Sequence, residues 1–181
     1  MVSSIMQALH LPDAPAGSTH RGLAVVEIFI ILTIVLILAL IVMPTFLDMT
    51  DTGRARSMAT TARHMRELIG YKAAVHSVPL SAGGYPTTIY EAWFPTSQLP
   101  YHAWTNEPLK IETVIGGAHD IYPRVKTFNP DSQGAATAWY NCTNGAFCVR
   151  IPPQISAADT LATFNTVNCC NVTTLDQTTG H

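Results

Sequence analysis

Hydrophobic and polar positions divide this chain into three regimes. Residues 23–47 are 25 positions of almost unbroken apolar character, interrupted by one carboxylate, Glu27, and one proline, Pro44. As a helix rising about 1.5 Å per residue, this stretch measures about 38 Å, enough to cross a bilayer with some tilt. Residues 1–22 are small and polar, carry Pro12 and Pro15, and show no period, so they read as a leader or tail and not as a folded element. An ordinary secretory signal would place a small-x-small cut behind the apolar run. Here the run ends in Met43-Pro44-Thr45-Phe46-Leu47-Asp48, and that reading fails.

Beyond residue 47 the apolar positions become periodic. Ala55, Met58, Ala62, Met65 and Ile69 recur at spacings of three and four and form one stripe, with Arg54, Arg56, Arg63 and Glu67 largely outside it. Pro79 and the Gly83-Gly84 pair end the pattern. The economical expectation is one long helix over 23–78, its membrane half at 23–47 and its second half amphipathic. The alternative is a joint at Asp51-Thr52-Gly53 between two helices, since Gly53 and Gly70 each cost about 1 kcal/mol relative to alanine.

Residues 79–181 form the third regime. Thr88 and Glu91 have capping-box spacing and predict a short helix. Residues 109–115 alternate, with Leu109, Ile111, Thr113 and Ile115 on one face, and predict a half-buried strand. Residues 121–128 predict a weaker strand, placed at an edge by Pro123. Asn144-Gly145 between residues 137–142 and 147–151 is a hairpin signal. Ser156 and Asp159 have cap spacing before Leu161, Phe164 and Val167, which predicts a C-terminal helix. The expected class is α+β: a long N-terminal helix packed on a small antiparallel sheet, with residues 79–181 as one globular domain.

Composition narrows the function classes. The formal net charge is −2 with no cluster of basic residues, which argues against a nucleic-acid partner. Seven histidines are scattered without paired ligand spacing, and no nucleophile elbow or phosphate-cradling glycine loop is present, so an enzyme is not the expected class. His119-Asp120 after Gly116-Gly117 is the nearest approach to a site. The four cysteines, Cys142, Cys148, Cys169 and Cys170, favour disulfides over zinc, because Cys-x5-Cys followed by an adjacent pair fits metal spacing poorly. A two-residue turn would hold Cys142 diagonal to Cys148, so these two are expected to pair with Cys169 and Cys170, with the choice open. Asn129-Pro130-Asp131-Ser132-Gln133-Gly134 offers oxygens to a calcium ion, but a turn explains it equally well; no other cofactor is expected. Asn141-Cys-Thr and Asn171-Val-Thr match a glycosylation pattern and are read as chance.

The combination of Arg21-Gly22, apolar Leu23, Glu27 and Pro44 resembles the N-terminus of type IV prepilins and of type II secretion pseudopilins. It spans about a seventh of the chain. In that pattern a basic residue and glycine precede the cut, the first mature residue is hydrophobic, and glutamate is the fifth mature residue. Here a cut after Gly22 makes Leu23 the new terminus and Glu27 the fifth residue (27 − 22 = 5). Farther on, Gly84-Tyr-Pro-Thr-Thr88 and Ala103-Trp-Thr-Asn-Glu-Pro108 are similar to elements of major pseudopilins.

The resemblance implies a pilin-like fold, a membrane prepilin peptidase that removes residues 1–22 and methylates the Leu23 amine, and self-association into a helical filament. It implies other pseudopilins and inner-membrane assembly components as partners, and a single-pass subunit of the bacterial inner membrane with its C-terminal domain outside the cytoplasm. Glu27 would pair with the amine that cleavage creates, and Pro44 would permit local unwinding in the fibre. The bias of basic residues runs the other way, since Arg54, Arg56, Arg63 and Arg66 follow the span and only Arg21 precedes it. The cleavage motif and the C-terminal cysteines outweigh it. Alternatives are a pilus or minor pilin subunit and, from another class, a membrane-anchored binding protein or enzyme that never polymerises.

Overall fold

The computed structural model describes residues 20–132 and 134–180, with the side chains of 25–39, 50–132 and 134–180. Residues 1–19, most of the expected leader, lie outside the described residues, as do the side chains of Gly22, Leu23 and Pro44. The protein is α+β. It comprises helix α1 (His20–Val75), a 3-10 turn (Glu91–Trp93), strands β1 (Ile111–Val114), β2 (Ala138–Asn141) and β3 (Ala146–Val149), and helix α2 (Ala157–Asn168). It divides into two units, Met1–Leu47 and Asp48–His181.

In the second unit the α1 stripe falls where its period places it. Ala55, Met58, Ala62, Met65 and Ile69 are all buried, at 5% exposure or less. The helical backbone passes through Gly53 without a joint, and Asp51 pairs there with Arg54 at 3.1 Å. It ends at Val75, three residues short of expectation, because His76 turns into the left-handed region (φ 53) and its N–H bonds back to Ala73.

The sheet is three-stranded in the order β1-β2-β3 and is mixed, which corrects the antiparallel expectation. β1 runs parallel to β2, with Ile111 beside Ala138, and β2 runs antiparallel to β3, with Asn141 beside Ala146. Nothing in the alternation of a strand specifies the direction of its neighbour; the hairpin β2–β3 had to be antiparallel, but β1 did not. The hairpin loop is the four residues Cys142–Gly145 and not a two-residue turn, so Cys148 lies opposite Trp139. Gly145 is obligatory there. Its φ is 75°, and an added Cβ would fall 2.3 Å from the Tyr85 ring.

Residues 121–128 form no strand. Their backbone bonds are spent singly, Ile121 and Tyr122 on the Thr178 carbonyl and Phe128 on the Ile151 carbonyl. Ile115, expected inside, is 90% exposed. The Thr88 cap is also absent: the 3-10 turn starts at Glu91 from Tyr90, with no side-chain cap. α2 forms as expected. Ser156 Oγ accepts from the Asp159 N–H at 3.0 Å and lies 2.6 Å from its carboxylate, and Phe164 and Val167 are fully buried.

Every residue of β2 is buried, and in β3 Phe147 and Val149 are buried along with Cys148 on the opposite face. The hairpin is therefore covered on both sides, as its short and largely apolar strands require. Its polar groups are satisfied locally: Tyr140 Oη donates to Pro86 O at 2.7 Å, and Asn141 Oδ1 accepts from Gly116 and Thr143.

Candidate functional site

The residues singled out for processing and assembly all lie on α1. Helical backbone begins at His20, so Gly22 and Leu23 sit in its first turn and Pro44 within its length. Among the described side chains of this stretch, the large apolar residues from Val25 to Leu38 are each more than half exposed, and Thr33 among them is exposed. Six of these residues, Val25, Val26, Phe29, Ile30, Thr33 and Ile34, line an apolar concavity of about 340 Å³. The lone hydroxyl among them, Thr33, is internally satisfied by Phe29 O at 2.7 Å. Glu27 is exposed and lies off this concave face. Residue 27 is one helical turn beyond residue 23, so the two positions share one face of α1. Among the described residues no helix is long and apolar enough to cross a membrane. The described side chains 25–39 cover only part of the expected span 23–47.

The cysteines are four free thiols in the structure, spread over two places. Cys142 is buried in the hairpin loop, where its N–H bonds to Val114 O and its carbonyl accepts from Ser81 Oγ. Cys148, Cys169 and Cys170 belong to the junction of β3 with the end of α2. Burial pushes the Cys148 thiol up to about 12, against the pull of the Arg66 charge. Cys170 is half-buried and likewise raised by burial, whereas Cys169 is exposed.

That junction turns on polar residues that no periodicity signals. Asn168 is 2% exposed and makes four bonds: Oδ1 accepts from Val149 N (2.8 Å) and Arg66 Nη2 (3.3 Å), while Nδ2 donates to Val149 O (2.9 Å) and Phe164 O (3.2 Å). Its amide thus pairs with β3 as a neighbouring strand would. Arg66 Nε also donates to Phe147 O at 2.9 Å. Lys126, 2% exposed, places Nζ against the carbonyls of Pro123, Leu175 and Gln177 at 3.1, 2.8 and 2.6 Å, which ties the C-terminal segment to the 120s loop. Burial lowers its pKa below the ordinary lysine value. Three carbonyls converging on one ammonium are a structural clamp.

The other expected ligand groups resolve into turns. Asn129 Oδ1 accepts from Asp131 N at 3.0 Å, a side-chain turn inside the stretch considered for calcium; Gln133 lies outside the described residues. Among the described residues no group of His, Cys, Asp and Glu is placed to hold a metal ion. Asp120 spends Oδ2 on Gly117 N and its carbonyl on Asn141 and Asn144, so His119-Asp120 closes a loop. Asn141 is fully buried with its amide bonded, and its glycosylation pattern is not accessible.

The two downstream stretches that resemble pseudopilin elements are both packing devices. Gly84, at φ 81, turns the chain so that Tyr85 reaches beneath Gly145, and Pro86 receives the Tyr140 hydroxyl. Ala103 N–H points at Met58 Sδ on α1 at 3.1 Å, and His102 beside it is fully buried. Since a carbonyl can only accept, His102 Nε2 carries the proton given to Arg150 O at 3.0 Å. Nδ1 is then a bare acceptor without a partner among the described residues, and Phe128 packs edge-on at 4.9 Å. Desolvation lowers the His102 pKa and outweighs the opposing effect of the Arg150 bond. The unfolded chain, with its histidine near 6.5, therefore binds more protons below that value than the folded chain does. This contribution to stability is complete above about pH 6.5 and falls as pH drops from there toward the folded pKa. Denaturant midpoints at pH 7 and pH 5 test it: the midpoint should fall toward pH 5, and in His102→Gln this part of the fall should vanish. An unchanged pH dependence in that variant would assign the effect elsewhere.

Comparison with protein-family models, with curated proteins and with solved structures gives no match to this chain.

Proposed function

We propose that this chain is a structural subunit of a type IV pilus-like filament, specifically a pseudopilin of a type II protein secretion system. In this reading residues 23–47 hold it in the bacterial inner membrane before assembly, with the C-terminal domain outside the cytoplasm. The observation that carries it is Glu27, the one charged residue of the apolar stretch 23–47, one turn beyond a Gly22–Leu23 bond preceded by Arg21. An ionised group within a bilayer costs about 2.5–3.5 kcal/mol on insertion scales, so it needs a partner of opposite charge. A prepilin peptidase that cuts after Gly22 supplies one, the Leu23 amine, and methylation leaves the charge in place.

The pairing has a local geometry. Positions 23 and 27 lie on one helical face, so the carboxylate can meet the amine of its own subunit or one presented by a neighbour. An amine at a helix N-terminus sits against the positive end of the helix dipole, which sharpens the need for a carboxylate nearby. The concave apolar face at Val25, Phe29 and Ile30 then suits a second copy of the same helix. The pseudopilin assignment within the filament class rests on the stretches 84–88 and 103–108.

The test is the mature N-terminus. Intact-mass measurement and N-terminal sequencing of the membrane-bound chain should find it beginning at a methylated Leu23 when a prepilin peptidase is co-expressed, and uncut in a Gly22→Leu variant. A wild-type chain that retains residues 1–22 beside an active peptidase would refute this reading.

A further inference from the structure

β3 and the end of α2 are joined directly at Val149 and bridged by Arg66 of α1 at Phe147. Arg66 Nε bonds Phe147 O, the Asn168 amide bonds both backbone groups of Val149, and Arg66 Nη2 bonds Asn168 Oδ1. Cys148 lies between Phe147 and Val149, and Cys170 lies two residues beyond Asn168. Both belong to one core, Cys148 at 2% exposure and Cys170 packed against it half-buried. Cys148 Sγ is 3.6 Å from Ile121 O, and Cys170 Sγ is 3.2 Å from Asn165 Oδ1 of α2.

The other two cysteines are placed differently. Cys169 adopts the left-handed conformation (φ 49) that ends α2; it is exposed and lines a separate groove with Ala59, Thr60, Arg63 and Arg66. Cys142 sits in the hairpin loop, held by Val114 and Ser81.

We propose that Cys148 and Cys170 form the one intramolecular disulfide of this domain, while Cys142 and Cys169 remain thiols. The proposal rests on the extracytoplasmic placement given above, because such bonds persist in oxidising compartments. The oxidant is a dithiol–disulfide exchange protein or a small-molecule disulfide. The Cys170 thiolate attacks one sulfur of the oxidant and releases the other as a thiolate. The Cys148 thiolate then attacks Cys170 Sγ and displaces the oxidant's remaining sulfur. One S–S bond forms, two protons leave the chain, and the oxidant's disulfide is reduced by two electrons to a dithiol. Burial makes the Cys148 thiolate scarce in the folded domain, so the bond closes during folding, before β3 is covered.

The full chain is reduced, unfolded, and refolded in glutathione and glutathione disulfide. Free thiols are then trapped with N-ethylmaleimide and the protein is digested for mass spectrometry. The expected result is one cross-linked peptide joining Cys148 to Cys170, with Cys142 and Cys169 alkylated. Cys142→Ser and Cys169→Ser should keep the cross-link, and Cys170→Ser should lose it without a substitute. Reduction should lower the thermal midpoint by roughly 10 °C. A dominant link containing Cys142 or Cys169, or four alkylated cysteines in a cooperatively refolded chain, would overturn the pairing. The refolding buffer supplies the oxidant, so this outcome is independent of where a cell places the domain. A chain cross-linked after refolding but fully reduced in cells would count against the extracytoplasmic placement alone.

Discussion

Under the proposed function, a Glu27→Val chain should be cut after Gly22 as efficiently as the wild type and should then fail to enter filaments. Valine keeps the α1 surface apolar at a position that is exposed in the single subunit, so neither the fold of the domain nor the membrane segment has reason to change. The loss falls on the charge. Removing one member of an ion pair in apolar surroundings leaves the other uncompensated and costs about 3–5 kcal/mol, or on the order of a thousandfold in association per contact. That cost recurs at every added subunit, so the expectation is loss of filaments and not merely shorter ones. Electron microscopy of sheared material and N-terminal sequencing of the membrane fraction read the two halves of the claim separately. Glu27→Asp keeps the charge on a shorter arm and should assemble in part. Wild-type yields of filament from Glu27→Val would remove the pairing from the mechanism.

Asn168→Ala should be among the most destabilising substitutions in the globular domain. Val149 is fully buried, and both of its edge-facing backbone groups are satisfied by the Asn168 amide. Each buried group left without a partner costs about 1–3 kcal/mol, so the pair alone amounts to about 2–6 kcal/mol. A domain of this kind has about 5–15 kcal/mol in total. Urea denaturation should show a clear fall in midpoint at constant slope. Asn168→Asp keeps the acceptor for Val149 N and Arg66 but loses both donors, and should fall in between. A change below about 1 kcal/mol in the alanine variant would mean that water or a strand replaces the amide.

The part of this fold that the sequence discloses is the part made by repetition. The stripe from Ala55 to Ile69 is legible because helical burial recurs every three to four residues. α2 is legible because Ser156 and Asp159 cap it in a recognised pattern, and the hairpin because Asn144-Gly145 admits few other conformations. What escapes is made by single contacts between distant residues. Asn168, Arg66, Lys126 and His102 are polar residues whose burial follows from partners dozens of residues away, and no local spacing announces them. Residues 121–128 have the composition of a strand, but Pro123 withholds a donor and the remaining bonds go one at a time to Thr178 and Ile151. At the candidate site the motif is entirely local, which is why Gly22, Leu23, Glu27 and Pro44 could be named without any fold.

The parallel pairing of β1 with β2 has a consequence for the order in which the domain forms. β2 and β3 close through the loop Cys142–Gly145 and can meet early, whereas β1 must wait for everything from Ile115 to Thr137 to be looped out, a crossover with no helix among its described residues. Loop closure therefore places the docking of β1 after the closing of the β2–β3 hairpin. Until it happens β2 offers an open edge, which is the exposure that misassembly exploits. A nascent chain is vulnerable in that interval, and substitutions near Ile111 should lower folding yield as well as the finished protein's stability.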